Sequence, residues 1–328
     1  MGRFSVAVLV AGAVFVIALL AGSLRLGLRA RERGVWGGDS SFLAASGYLL
    51  PERPPWPDLL PLHEAPWPEA PADDRFARDA ARGARLLRRE GLVIACLARD
   101  LEAVLPFLER TVQGIRLAIG QPDVGVVVVE NDSEDRTGAR LRQWADVDDR
   151  VRVFTLALGW PPAIQTANRT ERLADLRNRA RHEADRLDGV SRWLLMMDAD
   201  FPRGWNPLGL CHARAQWTSR ASWVAANGVD WKHRYYDLFA LRDASWTWRG
   251  PNGLEDEWNQ RHTHPGLSPS AAETAFGGAA LYLRDGLGEW DGTDGRCEHW
   301  GVRGRGGIVD AGWWIPYDAK HVCASENL

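Results

Sequence analysis

Apolar residues along this chain follow two rhythms. Leu92-Val93-Ile94-Ala95-Cys96-Leu97 and Gly125 to Val129 are short unbroken apolar runs, the pattern of strands buried on both faces. Val151 to Leu156 and Trp193 to Met197 read as two further strands. Between them the spacing becomes helical. Residues 73–90 repeat Arg and Ala at helical intervals, and Glu102 to Ile119 can align Val104, Leu108, Ile115 and Ile119 on one face. Thr137 to Trp144 and the arginine-rich stretch Arg169 to Leu187 follow as helices. Strands alternating with helices predict an α/β fold with a mostly parallel sheet. The junctions Ala98-Arg99-Asp100, Glu130-Asn131-Asp132 and Asp198-Ala199-Asp200 then share the carboxyl edge, where open α/β sheets bind ligands.

The first residues have a different pattern. Phe4 to Leu24 carries no charge, and as a helix its length is about 32 Å, enough to cross a bilayer core. A transmembrane anchor is predicted over 4–24. The rival is a cleaved signal peptide, with Arg3 as its n-region and Ala21-Gly22-Ser23 as a passable cleavage site. Arg25, Arg29, Arg31 and Arg33 follow the span, so the positive-inside rule puts the remainder in the cytoplasm; a lumenal type II arrangement is the alternative. Pro51, Pro54, Pro55, Pro57, Pro61, Pro66, Pro68 and Pro71 favour extended backbone and predict a proline-rich stalk over 25–75. A catalytic domain over 76–328 remains.

Composition narrows the reading. The 328 residues are 45% hydrophobic and 25% charged, an ordinary globular balance with enough length for a large core. A net charge of -3 offers no basic field, so nucleic acid is not an expected partner. Seventeen tryptophans offer flat faces for sugar rings, although filling the core is the commoner role. Four cysteines make no dense disulfide framework. Cys297-Glu298-His299 and His321-Val322-Cys323 supply two Cys and two His, in spacings unlike common zinc sites.

The chemistry concentrates at strand ends. Trp193-Leu194-Leu195-Met196-Met197-Asp198-Ala199-Asp200 delivers two carboxylates, spaced i and i+2, to an exposed edge. Hard cations such as Mn2+ or Mg2+ take such oxygens and retain substrate phosphates, which eases departure of a diphosphate. Asp132, in Glu130-Asn131-Asp132-Ser133-Glu134-Asp135, is a candidate for holding the nucleoside; the same cluster can instead cap the helix near Thr137. Arg177 and Asn178 are candidates for the donor phosphates or sugar, whereas Arg172, Arg179 and Arg181 can form a solvated face.

Taken in order, Glu-Asn-Asp-Ser-Glu-Asp, then Arg172-Leu173-Ala174-Asp175-Leu176-Arg177-Asn178-Arg179, then an apolar strand with Asp-x-Asp, resembles the cryptococcal-type α-1,3-mannosyltransferase and capsule-associated-protein family, glycosyltransferase family 69. Tyr236-Asp237 with Arg242-Asp243, the Gly-Gly strand Ala275 to Tyr282, and Cys297-Glu298-His299 add to the resemblance, which covers roughly residues 91–300. It implies a GT-A fold, a nucleotide-sugar donor (GDP-mannose), manganese or magnesium, and transfer with retention. The acceptor expected is a glycan or a lipid-linked glycan.

On this basis Asp198, Asp200 and His299 are candidate metal ligands, and Asp200, Glu298 and Asp237 candidate catalytic residues. Gly277, Gly278, Arg242, Asp243 and Glu255 are candidates for the acceptor side. Gly277-Gly278 permits close backbone approach to a ligand or a simple strand bend. Two rivals differ in class. A sugar nucleotidyltransferase opens with a Gly-rich loop after its first strand, and Ala95 to Asp100 contains no glycine. A membrane-tethered, non-catalytic carbohydrate-binding protein would have no need of Asp198 and Asp200.

Overall fold

The computed structural model describes residues 74–160, 169–201, 204–217, 221–229, 235, 240–241, 269–293, 297–300, 302 and 306–316. The expected span and stalk lie outside them, except that Asp74 and Arg75, at the end of the expected stalk, open the first helix; Asp237, Arg242, Asp243, Glu255, His321 and Cys323 also lie outside. Among the described residues no helix is long and apolar enough to cross a membrane.

Five helices and eight strands are named here in chain order: α1 (Asp74–Glu90), β1 (Leu92–Ala98), α2 (Leu105–Ile119), β2 (Gly125–Asn131), α3 (Thr137–Val147), β3 (Val151–Leu156), α4 (Arg169–Leu187), β4 (Trp193–Asp198), α5 (Pro207–Gln216), β5 (Trp223–Val229), β6 (Ser270–Ala272), β7 (Ala279–Leu283) and β8 (Gly307–Pro316). They build one sheet in the order β3-β2-β1-β4-β7-β5-β8-β6. Strands β3, β2, β1 and β4 run parallel, β7 lies antiparallel between β4 and β5, β8 is parallel to β5, and β6 closes the far edge antiparallel. The expected α/β class and mostly parallel sheet are both present.

The strand sequences explain their places. Every residue of β2 is buried, as is all of β1 but half-buried Leu97, because helices cover both faces; an unbroken apolar run is the result. Strand β3 lies at an edge and mixes exposed Arg152 and Thr155 with apolar positions. Successive residues then feed two cores. Ile94, Cys96, Val126 and Val128 pack with α1, α2 and α5, while Val93, Ala95, Val127 and Val129 pack with Ala174, Ala180 and Ala184 of α4. The small alanines let α4 lie close to the sheet.

The amino edge is locked by Glu90 at the end of α1. Its carboxylate accepts Trp193 Nε1–H at 2.6 Å and the Arg214 fork at 2.7 and 3.0 Å, and Arg214 sits 4.7 Å above the Trp193 ring. One carboxylate thus joins α1, β4 and α5. Among the described residues tryptophan mostly fills the interior: Trp144, Trp193, Trp205, Trp223, Trp290, Trp313 and Trp314 are buried.

Candidate active site

At the carboxyl edge of the parallel half, hydrogen bonds lace the ends of β1 and β2 together. Beyond β2, Glu130 Oε1 accepts the Ser133 N–H at 3.0 Å, and Ser133 Oγ accepts the Asp100 N–H at 3.1 Å beyond β1. Asp100 Oδ1 accepts the Glu134 N–H at 2.7 Å. Asp135 caps α3 through the Thr137 N–H at 2.8 Å and also accepts the Glu102 N–H at 3.0 Å. Capping and edge lacing therefore engage most of this acidic motif. Asp100 and Asp132 both hold left-handed backbone, each with φ 51°, which aspartate tolerates better than most residues.

Asp132 has a more specific task. Its Oδ1 accepts the N–H groups of Leu158 and Gly159, each at 2.9 Å, and its Oδ2 accepts Trp160 N–H at 3.3 Å and the Asn131 amide at 3.2 Å. Burial pushes its carboxyl up, but the Asn131 amide and the three backbone donors outweigh that and hold it below the usual carboxylate range. The carboxylate expected to hold a nucleoside thus clamps the turn after β3. That turn presents Trp160, whose carbonyl accepts from Arg99 Nη2 at 3.1 Å and whose ring lies 5.2 Å from the Arg172 guanidinium.

The Asp-x-Asp motif stands where the sequence puts it, at the end of β4. The Asp198 N–H donates to the Gly278 carbonyl at 2.8 Å, so β7 fixes the strand end. Gly277 and Gly278 both have positive φ, 58° and 84°. A Cβ on Gly277 would lie 2.1 Å from the Ala226 carbonyl oxygen. The backbone that Gly277 approaches closely is β5.

Arg177 of α4 reaches Asp198 from the buried side. Its Nη2 lies 3.3 Å from Asp198 Oδ1 and 3.2 Å from Glu298 Oε1, its Nε donates to Glu298 Oε1 at 3.2 Å, and its guanidinium lies 4.5 Å from the Phe276 centroid. Arg177 and Glu298 are both buried. Burial works against the arginine's charge, but Asp198 and Glu298 more than offset it and raise its pKa further. For Glu298, burial pushes the carboxyl up, while His299 and Arg177 pull it lower overall.

His299 stacks on Phe276 with ring centroids 4.0 Å apart. Its Nδ1 faces Trp290 Nε1 at 3.3 Å and the Tyr282 hydroxyl at 3.4 Å. An indole N–H only donates, so Nδ1 is the acceptor and the neutral ring carries its proton on Nε2. Burial, with Arg177 behind it and Glu298 opposing, pushes the imidazole down to about 3. At neutral pH the ring is uncharged, which leaves Arg177 as the cation in direct contact with Glu298. Asn178 supports the same wall: its amide donates to the Trp290 carbonyl and accepts the Trp290 N–H, both at 2.9 Å. It positions the segment that carries His299.

Arg177 thus joins Asp198, Glu298 and His299 in one network, and Asp200 adjoins it along the chain. Among the described residues, no three His, Cys, Asp or Glu side chains converge as a ready-made metal cage. Sequence reading passed over Trp160, Phe276, Tyr282 and Trp290 as site-building residues. The signal for Arg177 is visible, because it interrupts the stripe Thr170, Ala174, Ala180 and Ala184 on the buried face of α4.

Residues 91–260 match the sequence pattern of the family described as cryptococcal mannosyltransferase 1. The chain belongs to the cryptococcal mannosyltransferase 1 family. The match takes in β1 to β5 and the Asp-x-Asp motif. No curated protein matches the chain significantly. Among solved structures, mannosyltransferase PcManGT from Pyrobaculum calidifontis, in complex with GDP-Man and Mn2+, is similar at 15% identity and TM-score 0.38, over 73% of this chain and 66% of that one. GalNAc-T7 with UDP, GalNAc and Mn2+ is similar at 15% identity and TM-score 0.40, over 69% and 42%. S. aureus TarS is similar at 16% identity and TM-score 0.31; the aligned part is 42% of this chain and only 36% of that one.

Proposed function

We propose that this family member is a GT-A glycosyltransferase that moves a hexose, mannose from GDP-mannose, to a glycan or lipid-linked acceptor with retention of configuration. The observation that carries the reading is the meeting of Asp198, Arg177 and Glu298 at the end of β4, inside the matched region or joined to it by direct contact.

Asp198 and Asp200 would hold Mn2+ or Mg2+. The donor set fits such an ion: two carboxylates with oxygen donors only. When bound, the ion offsets the negative charge of the departing diphosphate. Arg177 holds Asp198 in place through its Nη2, 3.3 Å from Oδ1. Its Nη1 is buried with no hydrogen-bond partner among the described residues, a donor suited to a phosphate oxygen. Asp132 shapes the nucleoside end of the edge through the turn it clamps. Asn178 orders the wall beside the sugar, with Glu298 and His299 in it. Gly277, Gly278, Arg242, Asp243, Glu255 and Asp237 belong to the acceptor half in this reading. The segment 4–24 anchors the enzyme in a membrane, with the catalytic domain on the cytoplasmic side.

A thermal-shift panel of nucleoside diphosphates with and without Mn2+ tests this. GDP with Mn2+ is expected to raise the melting temperature, by about 2.7 kcal/mol of stability at one hundred times its dissociation constant. Stabilisation by UDP and not GDP would remove mannose from the reading and leave the transferase.

A further inference from the structure

Arg172 has a role that Asp-x-Asp chemistry does not use. It projects from the first turn of α4 to the turn after β3, where its guanidinium stacks on Trp160. Its Nη1 is buried and has no hydrogen-bond partner among the described residues. A guanidinium is not desolvated at no cost: a buried N–H without a partner signals a missing acceptor. Stacking on an aromatic face fixes the plane of the fork. The platform is fixed in turn, since Asp132 grips the Trp160 N–H and Arg99 the Trp160 carbonyl.

The location suggests what the acceptor is. β3 and β4 are separated by β2 and β1, three strand spacings or about 14 Å. An extended nucleoside diphosphate reaches about that far, so with its phosphates at Asp198 its base arrives at the Trp160 turn. Leu97 pairs with Asp198 in register, which carries Arg99 alongside Asp200 and makes the edge between the two ends continuous.

We propose that Arg172 reads the base of the donor: its planar fork, held by Trp160, donates to the adjacent O6 and N7 acceptors of guanine. Guanine offers that acceptor pair on one edge, and uracil has no equivalent. Asp132 is a positioning residue for this contact and does not touch the base. The inference rests on the nucleotide-sugar reading above.

The test uses the full chain with Mn2+ and compares the affinity for GDP, 7-deaza-GDP and UDP in the wild type, Arg172→Gln, Arg172→Lys and Asp132→Asn. 7-Deaza-GDP lacks only the N7 acceptor. The wild type is expected to bind GDP about tenfold more tightly than 7-deaza-GDP. That ratio falls to about one in Arg172→Gln and shrinks in Arg172→Lys and in Asp132→Asn. A general structural defect would weaken all three nucleotides and leave the ratio intact. An equal loss across the three nucleotides in Arg172→Gln, with the ratio kept, would overturn the proposal, whether the loss comes from a phosphate contact or from the fold. So would a wild type that binds GDP but does not distinguish 7-deaza-GDP, or one that prefers UDP. A wild type that binds no nucleoside diphosphate would overturn the donor reading itself.

Discussion

Replacing Arg177 with Met should unfold the domain at a markedly lower temperature, for a reason the geometry specifies. The arginine bridges buried Glu298 and half-buried Asp198, with Nη2 at 3.2 and 3.3 Å from their oxygens. Methionine fills similar volume against Phe276 but leaves Glu298 buried without a cation. Breaking a buried pair from one side costs about 3–5 kcal/mol. For a domain of this size that is a fall of about 10 °C in Tm. The pH dependence then weakens. In the wild type Glu298 is held below its ordinary value, so its contribution is complete above the unfolded carboxyl pKa of about 4.3 and is lost as pH falls through the folded value. In Arg177→Met one of the groups that hold the carboxyl down is gone, so its pKa should rise, and lowering the pH from 7 to 5 should cost the variant less stability than it costs the wild type. Adding Glu298→Gln should recover part of the loss, because it removes the stranded charge. Calorimetry of the four proteins at pH 5 and pH 7 decides it. A single variant melting with the wild type, or a double variant falling by the sum of the singles, would refute the coupled triad.

Three further outcomes follow from the same edge. Asp198→Ala with Asp200→Ala should abolish sugar transfer while lowering the melting temperature less than Arg177→Met does, since Glu298 still neutralises Arg177; transfer at near-normal rate would remove the metal assignment. Gly277→Ala should destabilise by about 2–4 kcal/mol, from a side chain at positive φ and a Cβ driven into the Ala226 carbonyl; unchanged melting would show that β7 can shift freely. A C-terminal alkaline phosphatase fusion should be inactive and a cytoplasm-restricted fluorescent fusion bright, because Arg25 to Arg33 follow the apolar segment; active phosphatase would favour the lumenal arrangement.

The parallel half of the sheet was legible because its strands are extreme. Strands such as β1 and β2 are buried on both faces and can hardly be written except as apolar runs. By contrast, β5 and β8 escape pattern reading. The first contains Ala225-Ala226-Asn227-Gly228, the second Asp310 and Gly312, and a register shift at Ala226/Asn227 breaks their alternation. Asp198 and Asp200 were legible as chemistry because two carboxylates after five apolar residues need a reason. The contact of Arg177 with Glu298 was not, since 121 positions separate them. Asp132 and Asn178 were visible as polar groups near the site, but sequence cannot show that backbone N–H and carbonyl groups of Leu158, Gly159, Trp160 and Trp290 would occupy them.

The central claim is that Asp198 and Asp200 support metal-dependent use of a nucleotide sugar. It is tested most directly by measuring GDP released from GDP-mannose by the full chain, with Mn2+ and with chelator, beside the Asp198→Asn/Asp200→Asn variant. The account predicts release that requires Mn2+ and both aspartates. Release that persists under chelation, or in the double variant, would contradict it.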